Sequence, residues 1–445
     1  MLDRGKIMLL EFETENYKSF KDRIKFSMLP APKQKGLDFS ILHKKIEKKE
    51  YKALSSAVVY GPNAAGKTNI IGAIQTFKTI VLRGNIRNSL SSVSPNAADY
   101  ALELIPNNSL KDKKNVFFSI RFVHRELLIK YSMLLDLGRF LEKDYDRNVV
   151  EEILEINGKT LFSRINNELN IENIIFFDSY FISGFKKDFK TLLPFLKTSL
   201  KKDELFLMNG FRTIVSSALT EIISDYFDNY LKTVYRADIL YTAPIFDSKT
   251  IIDEHLNKAA SRFGVNSNKL VYVKNKKGET PPILCSVMPN KIPIPSEIFE
   301  SYGTVRFVNL FPLIADTLQR GATLIVDEFD SSIHPRAIMD IITIFHNDDV
   351  NTNHAQLIFN THNPLYLNNN LFRRDEIKFI DRDDKTKCSR HYSLSDFGTK
   401  GTNARKGKDY MNNYFMDEYG AIRDIDFSDL FTEIIRKSEW ARKEI

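Results

Sequence analysis

Ser56-Ala57-Val58-Val59-Tyr60-Gly61-Pro62-Asn63-Ala64-Ala65-Gly66-Lys67-Thr68-Asn69-Ile70-Ile71 is the stretch whose reading decides the fold. Ser56 to Tyr60 is a short apolar run, which reads as a buried strand. Gly61 to Thr68 then has the form G-x-x-x-x-G-K-[ST], and Ile70, Ile71, Ile74 and Phe77 follow at helical spacing. Strand, glycine loop and helix in that order turn a pattern into a physical expectation. Gly61 and Gly66 let the backbone bend, so that the loop (Gly61, Pro62, Asn63, Ala64, Ala65, Gly66, Lys67, Thr68, Asn69) wraps phosphate oxygens, chiefly with main-chain N–H groups. The helix that starts near Lys67 adds the positive end of its dipole. Lys67 is expected on the β- and γ-phosphates and the Thr68 hydroxyl on Mg²⁺. The chain is therefore expected to bind a nucleoside triphosphate, ATP, with Mg²⁺.

A second stretch supplies what such a site needs downstream. Thr323-Leu324-Ile325-Val326 is another buried strand, and it ends in Asp327-Glu328. A carboxylate at a strand tip beside a phosphate loop gives Mg²⁺ an oxygen ligand, which suits Asp327. Glu328, one residue on, is the expected catalytic group that aligns and polarises the attacking water. A helix over Pro335 to Phe345 and a strand over Gln356 to Phe359 lead to Asn360-Thr361-His362-Asn363-Pro364. From the tip of a parallel strand next to the Asp327 strand, His362 is placed to reach the γ-phosphate from the side. Ser301-Tyr302-Gly303-Thr304 precedes a helical apolar pattern (Val305, Val308, Leu310, Phe311, Ile314, Leu318). Small hydroxyl and glycine residues at a helix start make an anion site. The same pattern also reads as a simple Ser/Thr helix cap.

The bulk numbers leave room for this. At 445 residues the chain holds two to three domains, or one large α/β core with an insertion. Net charge is +7, with Lys and Arg spread along the chain, which permits nucleic-acid contact without establishing it. Cys285 and Cys388 lie far apart with no metal-ligand spacing, as reduced thiols of a cytoplasmic protein would. The opening residues carry acids too early for a signal peptide, and no apolar run is long enough to span a membrane.

The remaining pattern divides the chain. Met8 to Phe12 and Ile24 to Met28 read as strands, and residues 30–50, with Lys44, Lys45, Lys48 and Lys49, as a solvated basic segment, with a nucleic-acid-facing loop as the alternative. Alternating apolar residues recur at Val116 to Phe122, Leu127 to Leu135 and Ile153 to Ile156, with Asn157-Gly158 as a two-residue hairpin turn before Leu161. From about residue 170 the period becomes helical. Phe211, Ile214, Val215, Ala218, Leu219, Ile222, Ile223, Tyr226, Phe227, Tyr230, Leu231 and Val234 form a wide stripe, and a shorter pattern spans Ile251 to Phe263. Strands are expected again at Leu270 to Val273 and Pro282 to Val287, turning at Lys277-Gly278. The expected units are an N-terminal lobe over 1–165, a helical insertion over 166–269, a C-terminal lobe over 270–400 and a tail over 401–445. Phe427, Leu430, Phe431, Ile434 and Ile435 in the tail are at helical spacing and are expected to dock on the chain's own domain, with docking on a partner as the alternative.

The order of parts resembles the ABC-type ATPase heads of the SMC, RecF and OLD-like group. The opening Asn16-Tyr17-Lys18-Ser19-Phe20-Lys21-Asp22 is similar to the start of such heads. More narrowly, Asp327-Glu328-Phe329-Asp330-Ser331-Ser332-Ile333-His334-Pro335, Tyr392-Ser393-Leu394-Ser395-Asp396-Phe397 and Tyr419-Gly420-Ala421-Ile422 are similar to stand-alone bacterial ATPases of abortive-infection and other anti-phage loci, among them the ATPase subunit of the PARIS system. The resemblance implies an α/β ABC-ATPase head: a mixed sheet carrying the phosphate loop, an antiparallel β subdomain and the helical insertion. It implies a homo-oligomer in which two heads sandwich ATP, with Ser301, Gly303 and Thr304 touching the γ-phosphate in trans and Asp330 in a D-loop-like turn. Residues 301–304 depart from the Leu-Ser-Gly-Gly-Gln of transporters. The implied role is a sensor in phage defence that controls a separate toxin or nuclease subunit. The alternative is a SMC/RecF-like repair clamp on duplex DNA.

Overall fold

The computed structural model describes residues 6–87 (33 and 35 apart), 102–140 (110–112 apart), 142, 145–235, 254–264, 269–273, 283–398 and 408–443 (424 apart). The chain is mixed α/β, as expected. Its phosphate-loop strand, Ser56–Tyr60, lies inside a six-stranded sheet ordered Leu231–Val234, Thr323–Val326, Gln356–Asn360, Ser56–Tyr60, Ile377–Arg382, Ser389–Ser393. The first five run parallel and the last is antiparallel to its neighbour. A second sheet is wholly antiparallel, ordered Glu168–Ile171, Lys159–Ile165, Asn148–Ile156, Leu127–Asp136, Val116–His124, Met8–Glu15, Ile24–Ser27. The hairpin turn falls at Asn157 and Gly158, where φ is 51° and 78°. Both values are the left-handed ones that a two-residue turn between twisted strands requires.

The parallel strands are buried on both faces, and their alternation separates two cores. Ala57, Val59, Ile325, Ile358 and Ile380 pack toward the antiparallel sheet. Val58, Tyr60, Leu324, Val326, Leu357, Phe359 and Phe379 pack toward the helices Tyr302–Arg320 and Pro335–Phe345. The phosphate-loop helix, Lys67–Arg83, is wedged into the first core. Phe77 ties it in place, with ring centroids 6.1 Å from Phe12, 6.0 Å from Phe118, 5.9 Å from Tyr131 and 5.7 Å from Phe227. Such pairs are each worth about 0.5–1.5 kcal/mol beyond burial. The aromatic knot fixes the helix, and with it the loop at its N-terminus.

Four expectations change. Residues 30–50 are not simply a solvated segment: Ile41–Ile46 and Lys49–Leu54 form a hairpin. Leu42, Ile46 and Ala53 are buried beneath it against Met8, Leu10 and Val123, while Lys45, Lys48 and Lys49 stay exposed. The helical stripe ends earlier than its spacing suggests. Leu207–Val215 and Tyr226–Tyr230 are π-helical around the α-helix Ser217–Asp225, and Leu231–Val234 is a strand. That strand pairs parallel with Thr323–Val326, so 166–269 is not a purely helical insertion but lends a strand to each large sheet. The short β-branched run Leu231–Val234 continues the three- and four-residue spacing by coincidence, and pairing overrides it. Finally, at the start of the tail helix Ser428–Lys443 the described apolar side chains are not buried on the chain's own domain: Phe427, Leu430, Phe431, Ile434 and Ile435 are each more than half exposed.

The helix Glu254–Phe263 and the strands Lys269–Val273 and Ile283–Val287 fall where the sequence places them. Residues 251–253 at the start of the shorter helical pattern and the Lys277-Gly278 turn lie outside the described residues. No described helix is long and apolar enough to cross a membrane.

Candidate nucleotide site

Sheet register assembles the site. Val326 stands opposite Phe359 and Asn360 opposite Val59, so Asp327, Asn360 and Gly61 emerge at one edge of the sheet. Gly61 runs against the neighbouring strand so closely that a Cβ there would lie 2.1 Å from the Ile380 carbonyl oxygen. At Gly66, φ is +113° and a Cβ would lie 2.6 Å from Ser19 Oγ and 2.7 Å from Ser389 Oγ. Only glycine fits either position. The loop's outer wall is held as well: Ser389 Oγ donates to the Ala65 carbonyl at 2.5 Å and Arg382 Nη1 to that of Ala64 at 3.1 Å. Asn69 Nδ2 donates to Ser19 Oγ at 2.8 Å, and Ser389 N–H to the Ser19 carbonyl at 2.7 Å. The N-terminal turn thus buttresses the loop. Pro62 is partly covered, while Asn63 and Ala64 face solvent.

Lys67 is buried, and its Nζ donates to the carbonyls of Gly61 (2.8 Å) and Pro62 (3.0 Å). Burial lowers its pKa to about 8, against the pull of Asp327 and Glu328. A cation in such a place favours an anion that arrives beside it. Thr68 Oγ1 donates to Asp327 Oδ1 at 3.1 Å across 259 residues of sequence. A hydroxyl and a carboxylate oxygen at that distance form the donor set that Mg²⁺ takes with phosphate oxygens, so the residues fit the ion.

The acid pair is divided by its surroundings. Asp327 is buried, whereas Glu328 is exposed with φ 48°. Asn360 Nδ2 donates to Asp327 Oδ1 at 2.5 Å, and Asn360 Oδ1 accepts from the Glu328 N–H at 2.5 Å. Arg306 Nη2 donates to the Glu328 carbonyl and, at 3.4 Å, to that of Asp327. His362 is exposed beside these groups; partial loss of solvent and then the Lys67 ammonium lower its pKa, while Asp327 raises it. Asp330 accepts from Thr361 Oγ1 at 2.7 Å, which ties the turn after the acids to the His362 loop. Burial raises the Asp330 pKa against its hydrogen bonds to Thr361 and Tyr366 and the Arg306 charge.

Ser301, Gly303 and Thr304 stand apart from the loop, with no hydrogen bond to it among the described residues. Ser301 Oγ caps the helix Tyr302–Arg320 by accepting from Thr304 N–H at 3.2 Å, and lies 2.9 Å from Thr304 Oγ1. Within one chain the cap reading describes these residues. Gly303 also lets the helix approach the turn after the acids, since a Cβ there would lie 2.0 Å from the Ser332 carbonyl oxygen. Sequence reasoning missed Asn360, Arg306, Ser389 and Arg382. Of these, only Asn360, a polar residue closing an apolar strand, left a visible signal.

The family described as "AAA domain, putative AbiEii toxin, Type IV TA system" matches residues 56–368, more than half of the chain. The chain belongs to this family. It is thus an ATPase of the AAA type by descent, and the family implies nucleotide binding. Curated proteins offer no match. Among solved structures, the chain is similar to an SMC head bound to the C-winged helix domain of ScpA, at 13% identity and TM-score 0.42, covering 88% of this chain and 98% of that one. It is similar to the SMC head domain from Thermotoga maritima at 12% identity and TM-score 0.36, covering 86% and 98%. The Pyrococcus furiosus Smc head with an extended coiled coil, bound to the C-terminal domain of ScpA, aligns at 13% identity and TM-score 0.38, covering 88% and 97%.

Proposed function

We propose that this AAA-family chain binds ATP with Mg²⁺ in the Gly61–Asn69 loop and hydrolyses it with Glu328. The observation that carries the reading is the Thr68–Asp327 contact, which brings loop and acid pair to one point of the sheet edge. The loop amides and Lys67 take the phosphates, Thr68 and Asp327 hold the metal, Glu328 aligns the attacking water, and His362 meets the γ-phosphate from the side. The metal supplies neutralisation of phosphate charge when bound. Asp330 and the turn after it report the state of the acids to the His362 loop through Thr361.

The proposal extends to assembly. Bound triphosphate joins two heads, Ser301, Gly303 and Thr304 of one facing the loop of the other, and hydrolysis releases them. In the cell, this cycle would hold or free a separate toxin or nuclease in phage defence. The family's description as a putative AbiEii toxin and the resemblance in sequence support that role. Of the lysines between 170 and 202, Lys186, Lys197 and Lys201 pair with Asp178, Glu168 and Glu204 at 2.9, 2.9 and 3.0 Å, which takes these three from a DNA-binding face.

Two variants test the reading. Lys67→Ala should abolish nucleotide binding, and retained ATP turnover would remove the site assignment. Glu328→Gln with ATP should sediment as a dimer or larger. An unchanged profile counts against the sandwich. Copurification from the native operon should bring down a toxin or nuclease, whereas salt-dependent duplex-DNA affinity with no such partner would favour the clamp.

A further inference from the structure

Glu328 adopts a backbone conformation that a side-chain-bearing residue rarely takes, with φ 48° at the end of a buried strand. Such strain persists only where the surroundings hold it. Here both polar groups of its backbone are held by side chains from other elements. Asn360, 1% exposed, takes the N–H at 2.5 Å from the tip of the intervening strand. Arg306, 2% exposed, takes the carbonyl from the helix that begins at Ser301. The other amide atom of Asn360 fixes Asp327 Oδ1.

Arg306 makes the case beyond packing. Its Nε and Nη1 are buried with no hydrogen-bond partner among the described residues. Burying unpaired cationic donors costs stability, and an apolar side chain of similar volume would avoid that cost. What the guanidinium gives in return is its hold on the carbonyls of Glu328 and Asp327.

We infer that Asn360 and Arg306 are positioning residues that clamp the Glu328 backbone from either side and so aim its carboxylate at the reacting phosphate. The inference rests on Glu328 being the hydrolytic group. Asn360 acts from the strand between loop and acids, and Arg306 from the helix whose N-terminus carries Ser301 and Gly303. A rearrangement at that N-terminus would therefore reach Glu328 through one side chain.

The test uses the full chain and the variants Asn360→Ala, Asn360→Asp, Arg306→Met and Arg306→Lys. The readouts are kcat and KM for ATP, Kd for a fluorescent ATP analogue in EDTA, and thermal unfolding. Asn360→Ala and Arg306→Met should lower kcat on the order of 10²-fold, the scale set by a misplacement of about 1 Å. Analogue Kd should stay within about threefold, since the loop is untouched. Arg306→Met sheds two unpartnered donors but also its bonds to two carbonyls and its charge beside Asp330, so its melt sets the folded fraction by which kcat is corrected. Arg306→Lys, able to reach one carbonyl, should recover part of kcat. Asn360→Asp, which keeps an acceptor for the Glu328 N–H, should exceed Asn360→Ala at saturating Mg²⁺. Parental kcat in both truncations, or losses that follow the folded fraction or KM alone, would overturn the clamp while leaving the ATPase reading intact. A parent chain that does not hydrolyse ATP would sink the ATPase reading itself, and the clamp with it.

Discussion

Replacing Gly303 by Ala separates the stability of this chain from its chemistry. The added Cβ would lie 2.0 Å from the Ser332 carbonyl oxygen, whereas ordinary contact begins at 3.4 Å, so one side must retreat by about 1.4 Å. The helix resists moving. Val305, Phe307, Val308 and Leu310 are buried over the next two turns, and the Phe307 ring stacks on Phe263 with centroids 4.2 Å apart. The turn beyond the acids is tight but short, closed by Ser331 N–H to Glu328 O and Ile333 N–H to Asp330 O, each 3.1 Å. The turn therefore yields. Overpacking of this kind costs about 1–3 kcal/mol, while Gly to Ala within a helix returns about 1 kcal/mol. Net destabilisation should be no more than about 2 kcal/mol, a few degrees in Tm. Turnover should suffer far more, because that turn starts at Glu328 and a shift beyond 1 Å costs on the order of 10²-fold. ATP hydrolysis, analogue binding and a melt on one preparation read all three. Gly184→Ala is the control, since a Cβ there meets nothing within 4 Å. Hydrolysis by Gly303→Ala within threefold of the parent would refute the reasoning, and so would a turnover loss no larger than the loss of folded protein.

Other outcomes follow from burial. Phe77→Ala should destabilise the chain by about 3–5 kcal/mol in urea unfolding, since it empties the centre of the aromatic knot. Arg164 and Glu152 are 1% and 0% exposed and 3.9 Å apart, and Arg164 also donates to the carbonyls of Glu204 (2.6 Å) and Lys201 (2.7 Å). Arg164→Ala should therefore cost about 3–5 kcal/mol, since it removes the cation beside buried Glu152 and the donors to two carbonyls, while Glu152 keeps its hydrogen bonds from Tyr131 and the Phe206 and Leu207 N–H groups. Burial and then the Lys378 ammonium push the His391 pKa from 6.5 down to about 3. The folded chain thus binds fewer protons than the unfolded one across that window. Its contribution is complete above pH 6.5 and drains as pH falls toward 3. One proton sets the slope in that window, so it should be at most ~1.4 kcal/mol per pH unit. His391→Phe, which keeps the packing against Phe26 (centroids 5.6 Å apart), should flatten that acid limb in urea midpoints at pH 7, 6 and 5. An identical limb in both chains would remove His391 from the account.

What could be read from the sequence and what could not divide along a physical line. Elements set by local period were legible: the strand and helix around Gly61–Thr68, the strand Thr323–Val326, the helix Pro335–Phe345 and the Asn157-Gly158 turn all come from spacing within about a dozen residues. Leu231–Val234 was not, because Leu231 and Val234, three residues apart, continue the helical spacing and only the parallel partner at Thr323–Val326 makes the segment a strand. The tail helix shows the converse. Its periodicity is real, but periodicity says that a face is apolar, not that anything covers it. The site divides the same way. Lys67, Thr68, Asp327 and Glu328 belong to motifs whose chemistry needs those residue types in that order. Asn360 and Arg306 are defined by what they touch, which depends on a sheet order that skips from 323 to 356 to 56 along its strands. A polar residue at the end of a buried strand could have been suspected. Arg306 sits in a helix with several other polar residues and gave no such signal, and only the fold shows that both converge on the peptide of Glu328. Motifs thus mark the atoms that meet the substrate, while the groups that aim those atoms come from the long-range pairing of strands, where a single sequence is least informative.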